Sequence, residues 1–246
     1  MLNDLLLLSG NDIPFIEAGM VMHPPKIKEI ALIGEDTFFT GCGVLNFSKD
    51  ILSQEDKINL ADKSNFEILM SIIMDKSHPV MQKNRVSALM VLSLLFPNYE
   101  IELTPQGILL KNWDEVHSIN SNNFEKFKEI MTAMFCLKGR GDSSNETYNP
   151  AGEAARRIAE KLQKRKEVLA EQKGEQKIAI LGRYVSILAV GEKKDMNDLM
   201  NYTIYQLFDE YERFELKEQF DLNMKARLAG ARDLEDAENW TKDLHN

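Results

Sequence analysis

Apolar residues recur at intervals of three and four along much of the chain, which is the spacing of one face of an α-helix. Pro25 fits the first turn of a helix, because its missing N–H has no intrahelical partner there. The pattern over residues 1–137 predicts one helix that begins near Pro25 and three more over about residues 64–76, 82–95 and 121–137, the last with Ser121 as its N-cap.

Alternating polar and apolar residues indicate a small β-hairpin in the same stretch. Residues 99–103 and 108–110 are its strands, and the segment Thr-Pro-Gln-Gly at 104–107 is typical of a turn. Two earlier apolar segments, 5–8 and 13–22, are interpreted as a strand pair, although the first also fits a short helix. The predicted fold class is mainly α, with an α+β N-terminal domain that contains a small β-hairpin and a helical C-terminal domain.

The second half begins with a stretch of linker composition. Residues 138–150 are rich in glycine, serine and polar residues, and residues 151–173 combine strongly helix-forming residues with a thin apolar stripe. An apolar segment follows at 178–190, and Asp195 is predicted to cap a long helix that ends near Gly230. The predicted organisation is an N-terminal α+β domain over 1–137, a linker with a basic helix over 138–177, and a helical C-terminal domain over 178–246.

The formal net charge of −9 is unevenly distributed over the 246 residues. Residues 1–150 carry −7, residues 151–177 carry +3 and residues 178–246 carry −5. Acidic bodies repel phosphate backbones, so nucleic acid is not expected as a partner. The basic helix is interpreted as stabilised by its own ion pairs at i,i+3 and i,i+4, with docking on an acidic protein or on nucleic acid as alternatives.

The sequence offers little that is typical of an active site. Its four histidines are isolated, and Gly41-Cys42-Gly43 lacks the further residues of a phosphate-binding loop. Acidic pairs are interpreted as solvated helix surfaces, and Arg140-Gly141-Asp142 as part of a flexible linker. We therefore predict no catalytic residue, no metal site and no cofactor, and we do not expect an enzyme.

Cysteine use and hydropathy bear on the compartment. Cys42 and Cys136 lie in apolar stretches and are interpreted as buried free thiols, with a disulfide between them as the alternative. The leucine run near the start carries Asp4 where a signal peptide has positive charge. Apolar runs are also too short to cross a bilayer, so a cytoplasmic protein without a membrane partner is predicted.

Several segments of the second half carry a resemblance to a known family. They are YVSILAVG at residues 184–191, NYTIYQLFDE at 201–210, KARLAGA at 225–231 and NWTKDLH at 239–245, together with Arg213-Phe214 and with Asn149-Pro150 before the basic helix. These segments resemble the tail assembly chaperones of bacteriophages that infect Gram-positive hosts, mainly over residues 149–246.

The resemblance implies an acidic, mainly helical protein of tail morphogenesis that works in the host cell cytoplasm and is absent from the mature virion. The implied function is to bind the tape-measure protein and help to recruit tail-tube subunits, so these two proteins are the implied partners. The family has no catalytic residues to carry over, and a homo-oligomer is compatible with it. A structural neck, connector or tail accessory protein of the virion is the alternative.

Candidate partner-binding residues come from the predicted long helix and the end of the chain. Four aromatic residues follow one another there at intervals of three, so some are expected in the core and others in an exposed strip. Two further candidates lie in the segments that carry the resemblance. The predicted partner-binding residues are Tyr205, Phe208, Tyr211, Phe214, Arg227 and Trp240.

Overall fold

The computed structural model describes residues 3–49, 62–75, 79–137, 180–230 and 239–242. Up to residue 137 its elements are α1 (Asp4–Ser9), β1 (Ile13–Phe15), a 3-10 turn (Ile16–Ala18), β2 (Met20–Met22), α2 (Ile27–Ile33), α3 (Glu35–Leu45), α4 (Asn65–Met74), α5 (Pro79–Leu95), β3 (Glu100–Thr104), β4 (Gly107–Lys111), β5 (Val116–Ile119) and α6 (Phe124–Met134). From residue 180 they are α7 (Ile180–Gly191), α8 (Met196–Met200) and α9 (Ile204–Leu228). The fold is mainly α with two small antiparallel sheets, which confirms the predicted fold class.

Near the start of the chain, the predicted strand pair is only half right. Residues 13–22 form the β1–β2 hairpin by themselves, with Ile13 opposite Met22. Residues 5–8 belong instead to α1, where the Asn3 side chain accepts a hydrogen bond from the Leu5 N–H at 2.9 Å. Gly10, with φ of 67°, ends the helix, because a residue without Cβ adopts the left-handed conformation at little cost.

The second sheet has the strand order β3-β4-β5. Its first two strands confirm the predicted hairpin, with Glu102 opposite Leu109. The sequence did not predict β5, since Val-His-Ser-Ile at 116–119 lacks the alternation of a half-buried strand. Asn112 fixes the turn into β5, because its Oδ1 accepts the N–H groups of Asp114 and Glu115 at 3.0 and 2.8 Å.

Local side-chain caps explain where several helices begin. Ser64 caps α4 in a capping box, in which Glu67 accepts the Ser64 N–H at 2.6 Å and Ser64 Oγ accepts the Glu67 N–H at 3.1 Å. The predicted cap Ser121 is wrong: α6 begins at Phe124, with Asn123 in the N-cap position. Pro25 lies just before α2 and not in its first turn, since Lys26 holds the N-cap position.

The long helix begins later than predicted. Asp195 caps only the short α8, by accepting the N–H of Asn197 at 2.7 Å. Thr203 caps α9 through a second capping box, with Gln206 at the N3 position. The predicted end near Gly230 is confirmed within two residues, since α9 ends at Leu228.

The sequence did not predict α3, because glycine is a poor helix former and α3 contains two of them. Gly41 lies so close to α5 that a Cβ there would be 2.3 Å from the Ser87 carbonyl oxygen and 2.6 Å from Val91 Cγ2. A Cβ on Gly43 would meet nothing within 4 Å. Gly41 therefore permits the close approach of α3 and α5.

One hydrophobic core joins the two ends of the described chain. Its buried side chains come from α1 through α6 and also from α7, α8 and the first part of α9. The described residues up to 137 and those from 181 onward accordingly belong to one compact unit. Buried residues of 1–137 and of 178–246 belong to this common core. The division of these two stretches into separate domains stays a prediction. The predicted linker and basic helix at 138–177 lie outside the described residues.

Both cysteines are free, so the disulfide alternative is wrong. Cys42 is buried, as predicted, and burial raises the pKa of its thiol far above the ordinary value. Cys136 is only partly buried, which corrects the prediction for that residue. Within the described part of the chain, no helix combines the length and apolar composition needed to cross a membrane.

The α3–α5 contact gives a stability prediction with a matched control. Gly41→Ala should lower the free energy of unfolding by about 1–3 kcal/mol, because the added methyl group collides with α5. Gly43→Ala should raise it by about 0.5–1 kcal/mol, since alanine is the better helix former and has room. Urea denaturation of both variants measures the two values. A Gly41→Ala chain as stable as the parent would contradict the packing described.

Candidate partner-binding surface

The aromatic candidates of α9 differ in burial. Tyr205 is only 5% exposed, and its hydroxyl donates to Asp4 Oδ1 at 3.2 Å, which fastens α9 to α1. Phe208, Tyr211 and Phe214 are half-buried at the edge of the core. The structure therefore places one of the four in the core and three on a boundary between core and solvent.

Tyr184 of α7 organises these half-buried rings. It stacks on Tyr211 with a centroid distance of 3.8 Å and an interplanar angle of 7°, and it meets Phe208 edge-on at 5.4 Å. Phe214 packs on Gly191, where a Cβ would be 2.4 Å from the ring. Aromatic pairs of this kind add to the gain from burial, so they hold α7 against α9.

The pKa of the Tyr211 hydroxyl in this cluster is raised. Its hydroxyl donates to Glu215 Oε1 at 2.7 Å, one turn further along α9. Partial burial, followed by the hydrogen bond to Glu215, raises the pKa of Tyr211 to about 12. Both causes favour the neutral phenol, which remains the hydrogen-bond donor at neutral pH.

A groove of about 460 Å³ lies beside α9 on its polar side. Leu8 of α1, Tyr202 and Gln206 of α9 contribute to its wall. Gln206 Nε2 donates to the Leu8 carbonyl oxygen at 2.7 Å, so α1 is fixed against α9 along this wall. Trp240, 39% exposed, lines the groove from the described segment 239–242.

Arg213 connects the groove to that segment. Its Nη1 donates to the carbonyl oxygens of Trp240 and Lys242, at 3.1 and 2.6 Å. Asn239 shapes the turn, since its Oδ1 accepts from the N–H and the hydroxyl of Thr241 at 3.0 and 2.8 Å. The Lys242 N–H also donates to the Asn239 carbonyl at 2.9 Å. The segment is thus a turn closed by its own hydrogen bonds, and the Arg213 guanidinium group binds it.

Charge in the groove is mixed. The carboxylates Glu192, Asp209 and Glu210 line it together with the cations Arg213 and Lys217. Lys194 lies close by, forming an ion pair with Glu210, approaching Glu192 at 3.5 Å and donating to the Tyr202 hydroxyl at 3.1 Å. The lysine offsets part of the negative charge and fixes the carboxylates near Tyr202.

The structure separates Arg227 from this groove. Arg227 lies near the C-terminal end of α9, with its Nε donating to Asn223 Oδ1 at 2.9 Å. At 1.5 Å of rise per residue, it is about 21 Å along the helix from Arg213. Of the predicted candidates, only Trp240 lines the groove.

Sequence reasoning did not select Arg213 or Gln206 as site residues. The spacing of polar residues could have indicated this face of α9. Steps of four, three and four place four of them on one side of the helix: Gln206, Glu210, Arg213 and Lys217. What the spacing could not show is that Leu8, from the other end of the chain, completes the wall.

The groove contains groups that can bind a polypeptide: the Trp240 indole, several carboxylates and the Arg213 guanidinium group, which donates hydrogen bonds to backbone carbonyls. Among the described residues, no group of three or more His, Cys, Asp or Glu side chains could hold a metal ion. His23 and His117 lie elsewhere, with ring nitrogens 2.9 Å from Asp12 and from the Ala18 carbonyl oxygen. His78 and His245 are outside the described residues.

The Tyr211 environment can be tested by titration at 295 nm. The folded pKa lies above the usual value near 10, so the stabilising contribution is fully present below pH 10 and is lost as the pH rises through about 12. Tyr211→Phe should remove the absorbance change of one phenol that titrates near pH 12. Glu215→Gln should move the Tyr211 pKa down while leaving Tyr211 partly buried. Unchanged titration curves in both variants would contradict the described contact.

One family comparison bears on this part of the chain. Residues 171–245 match the model of a family described as the YomV second domain, which is of phage origin. No curated protein and no solved structure matches the chain. The matched stretch contains α7, α8, α9 and Trp240. The C-terminal part that holds the groove residues of α9 therefore matches a phage-derived family, in agreement with the broader part of the predicted resemblance.

Proposed function

We propose that this chain is a phage tail assembly chaperone, which binds the tape-measure protein and helps to recruit tail-tube subunits. The observation that carries the proposal is the division of α9, a helix of 25 residues. Its first part contributes Ile204, Tyr205 and Leu207 to the core. Its last part exposes Leu222 by 69%, Met224 by 43% and Leu228 by 86%.

Such a helix suits reversible binding. Its anchored start holds the exposed part without further folding, which lowers the entropic cost of association. Exposed apolar residues alternate with charged ones, including Lys225 and Arg227, so the surface can bind a partner and remain soluble. A chaperone needs this balance, because it must release its partners when tube subunits polymerise.

The proposed partners differ between the two ends of the chain. Residues 178–246 would contact the tail-tube protein, and residues 1–137 would contact the tape-measure protein or neighbouring copies. A tape-measure protein has long apolar surfaces that favour aggregation when uncovered. The net charge of −9 would keep a coated complex soluble through mutual repulsion. The protein would act in the host cell cytoplasm, without enzymatic activity and without binding nucleic acid or membrane.

Co-expression with the tape-measure and tail-tube proteins of the same phage tests the proposal. The parent chain should keep the tape-measure protein soluble and retain tube subunits on purification. The double variant Met224→Glu, Leu228→Glu should weaken tube retention at least about tenfold, a loss of about 1.4 kcal/mol, while its melting temperature stays unchanged. Val190→Glu places one glutamate at another exposed apolar position, on α7, and should behave as the parent does.

Peptide mapping of purified virions separates the proposal from its structural alternative. A chaperone should be missing from the particles. Stoichiometric amounts of this chain in them would replace the chaperone by a neck, connector or tail accessory protein.

A further inference from the structure

One edge of the three-stranded sheet, along β3, has no neighbouring strand among the described residues. In an antiparallel sheet the backbone groups of successive residues point alternately to the two sides of the strand. The Asn112 N–H donates to the Glu115 carbonyl oxygen at 3.0 Å, on the side of β5, so Lys111 directs its backbone groups to β3. Glu100 lies opposite Lys111 and therefore bonds to β4, and so does Glu102 two residues later.

The free backbone groups of β3 belong to Ile101 and Leu103, which alternate with these glutamates. Their N–H and C=O groups point away from β4, and within the described ranges no residue forms a hydrogen bond with them there. Unpaired N–H and C=O groups along a strand edge are a template for the backbone of another extended segment. The hydrogen-bonding pattern of this edge therefore suits a strand.

The two sides of β3 specify the side chains of an added strand. Ile101 and Leu103 are only partly buried against the core, so they leave apolar surface on the inner side of the free edge. Glu100 and Glu102 are exposed on the outer side, where Lys111 of β4 forms an ion pair with Glu102. Two carboxylates and one ammonium group leave a net charge of −1 there. A strand that alternates apolar and basic residues complements both sides.

A second copy of β3 does not fit this edge. Two copies would pair through Ile101, in a register that places it opposite either itself or Leu103 of the other copy. In both registers a glutamate of one copy lies opposite a glutamate of the other. Like charges directly opposite each other destabilise a sheet, whereas a basic strand meets opposite charge at the same positions.

We propose that the free edge of β3 is a docking site for an extended polypeptide segment that alternates basic and apolar residues. The segment adds to the sheet as a fourth, antiparallel strand. Its apolar side chains cover Ile101 and Leu103, and its basic side chains lie beside Glu100 and Glu102. This inference deepens the proposed contact of residues 1–137 with a partner protein, and it rests on that proposed function.

A heptapeptide of alternating lysine and valine, with lysine at both ends and a fluorescent label, is the probe. Titration with the full chain should raise its fluorescence anisotropy to saturation. A peptide with glutamate in place of lysine should bind at least about tenfold more weakly. Glu100→Lys should weaken binding of the lysine peptide at least about fivefold. Glu218→Lys makes the same change of charge at an exposed position of α9 and should leave binding unchanged.

Backbone methylation separates strand addition from simple attraction between charges. In the antiparallel arrangement each valine lies opposite Ile101 or Leu103, so its N–H donates to β3, while the lysine N–H groups point outward. A peptide N-methylated on its valines should therefore lose binding, whereas one N-methylated on its lysines should bind as the parent peptide does. Full binding of the valine-methylated peptide, or no binding of the parent peptide at millimolar concentration, would overturn the proposal.

Amide hydrogen exchange measured by NMR gives a second readout, in the protein itself. Saturating lysine peptide should slow exchange of the Ile101 and Leu103 N–H groups at least about tenfold, because they gain partners. Exchange of the Glu102 N–H should stay nearly unchanged, because this group already bonds to β4. Unchanged exchange at Ile101 and Leu103 contradicts the proposal.

These results can be told apart from those for the proposed function. If the peptide fails to bind while co-expression keeps the tape-measure protein soluble, the edge proposal fails and the proposed function stands. If the peptide binds as described while the tape-measure protein aggregates, the proposed function fails and the docking site at β3 stands.

Discussion

The N–H of Ile27 donates to the Tyr202 carbonyl at 2.8 Å, and Lys26 forms a β-bridge with Thr203 at the N-cap of α9. At this point the C-terminal helices join the N-terminal elements. The first turns of α9 then run past α1, where Tyr205 reaches Asp4. Because these bonds link residues far apart in sequence, the position of α9 depends on both ends of the chain being folded.

Because of this junction, the first part of α9 is buried and its last part is exposed to solvent. Near the junction the helix supplies core residues and one wall of the groove, so its side chains there are held in place. Further along it leaves the core, and its apolar residues meet solvent. The buried start of α9 fixes the position of its exposed end. The packing of Tyr205 therefore supports the proposed contact with tail-tube subunits.

The elements that local pattern decides were predictable, and those that depend on distant contacts were not. The apolar spacing within 64–76 and the turn at 104–107 involve neighbouring residues only, and α4 and the β3–β4 hairpin were predicted from them. The helix α3 was missed because Gly41 opposes local helix propensity and is explained only by its approach to α5. The groove was missed for the same reason, since Arg213 meets carbonyl oxygens 27 and 29 residues away.

The central claim is that residues from both ends of the chain form one cooperative core. Pulsed hydrogen exchange along a urea series, read by mass spectrometry, tests it directly. Amides of residues 88–96 and 124–134 should lose protection at the same midpoint as those of 181–188 and 204–208, because all lie in elements of the shared core. Two separated midpoints, one for each end of the chain, would contradict the claim and would show two independently stable bodies.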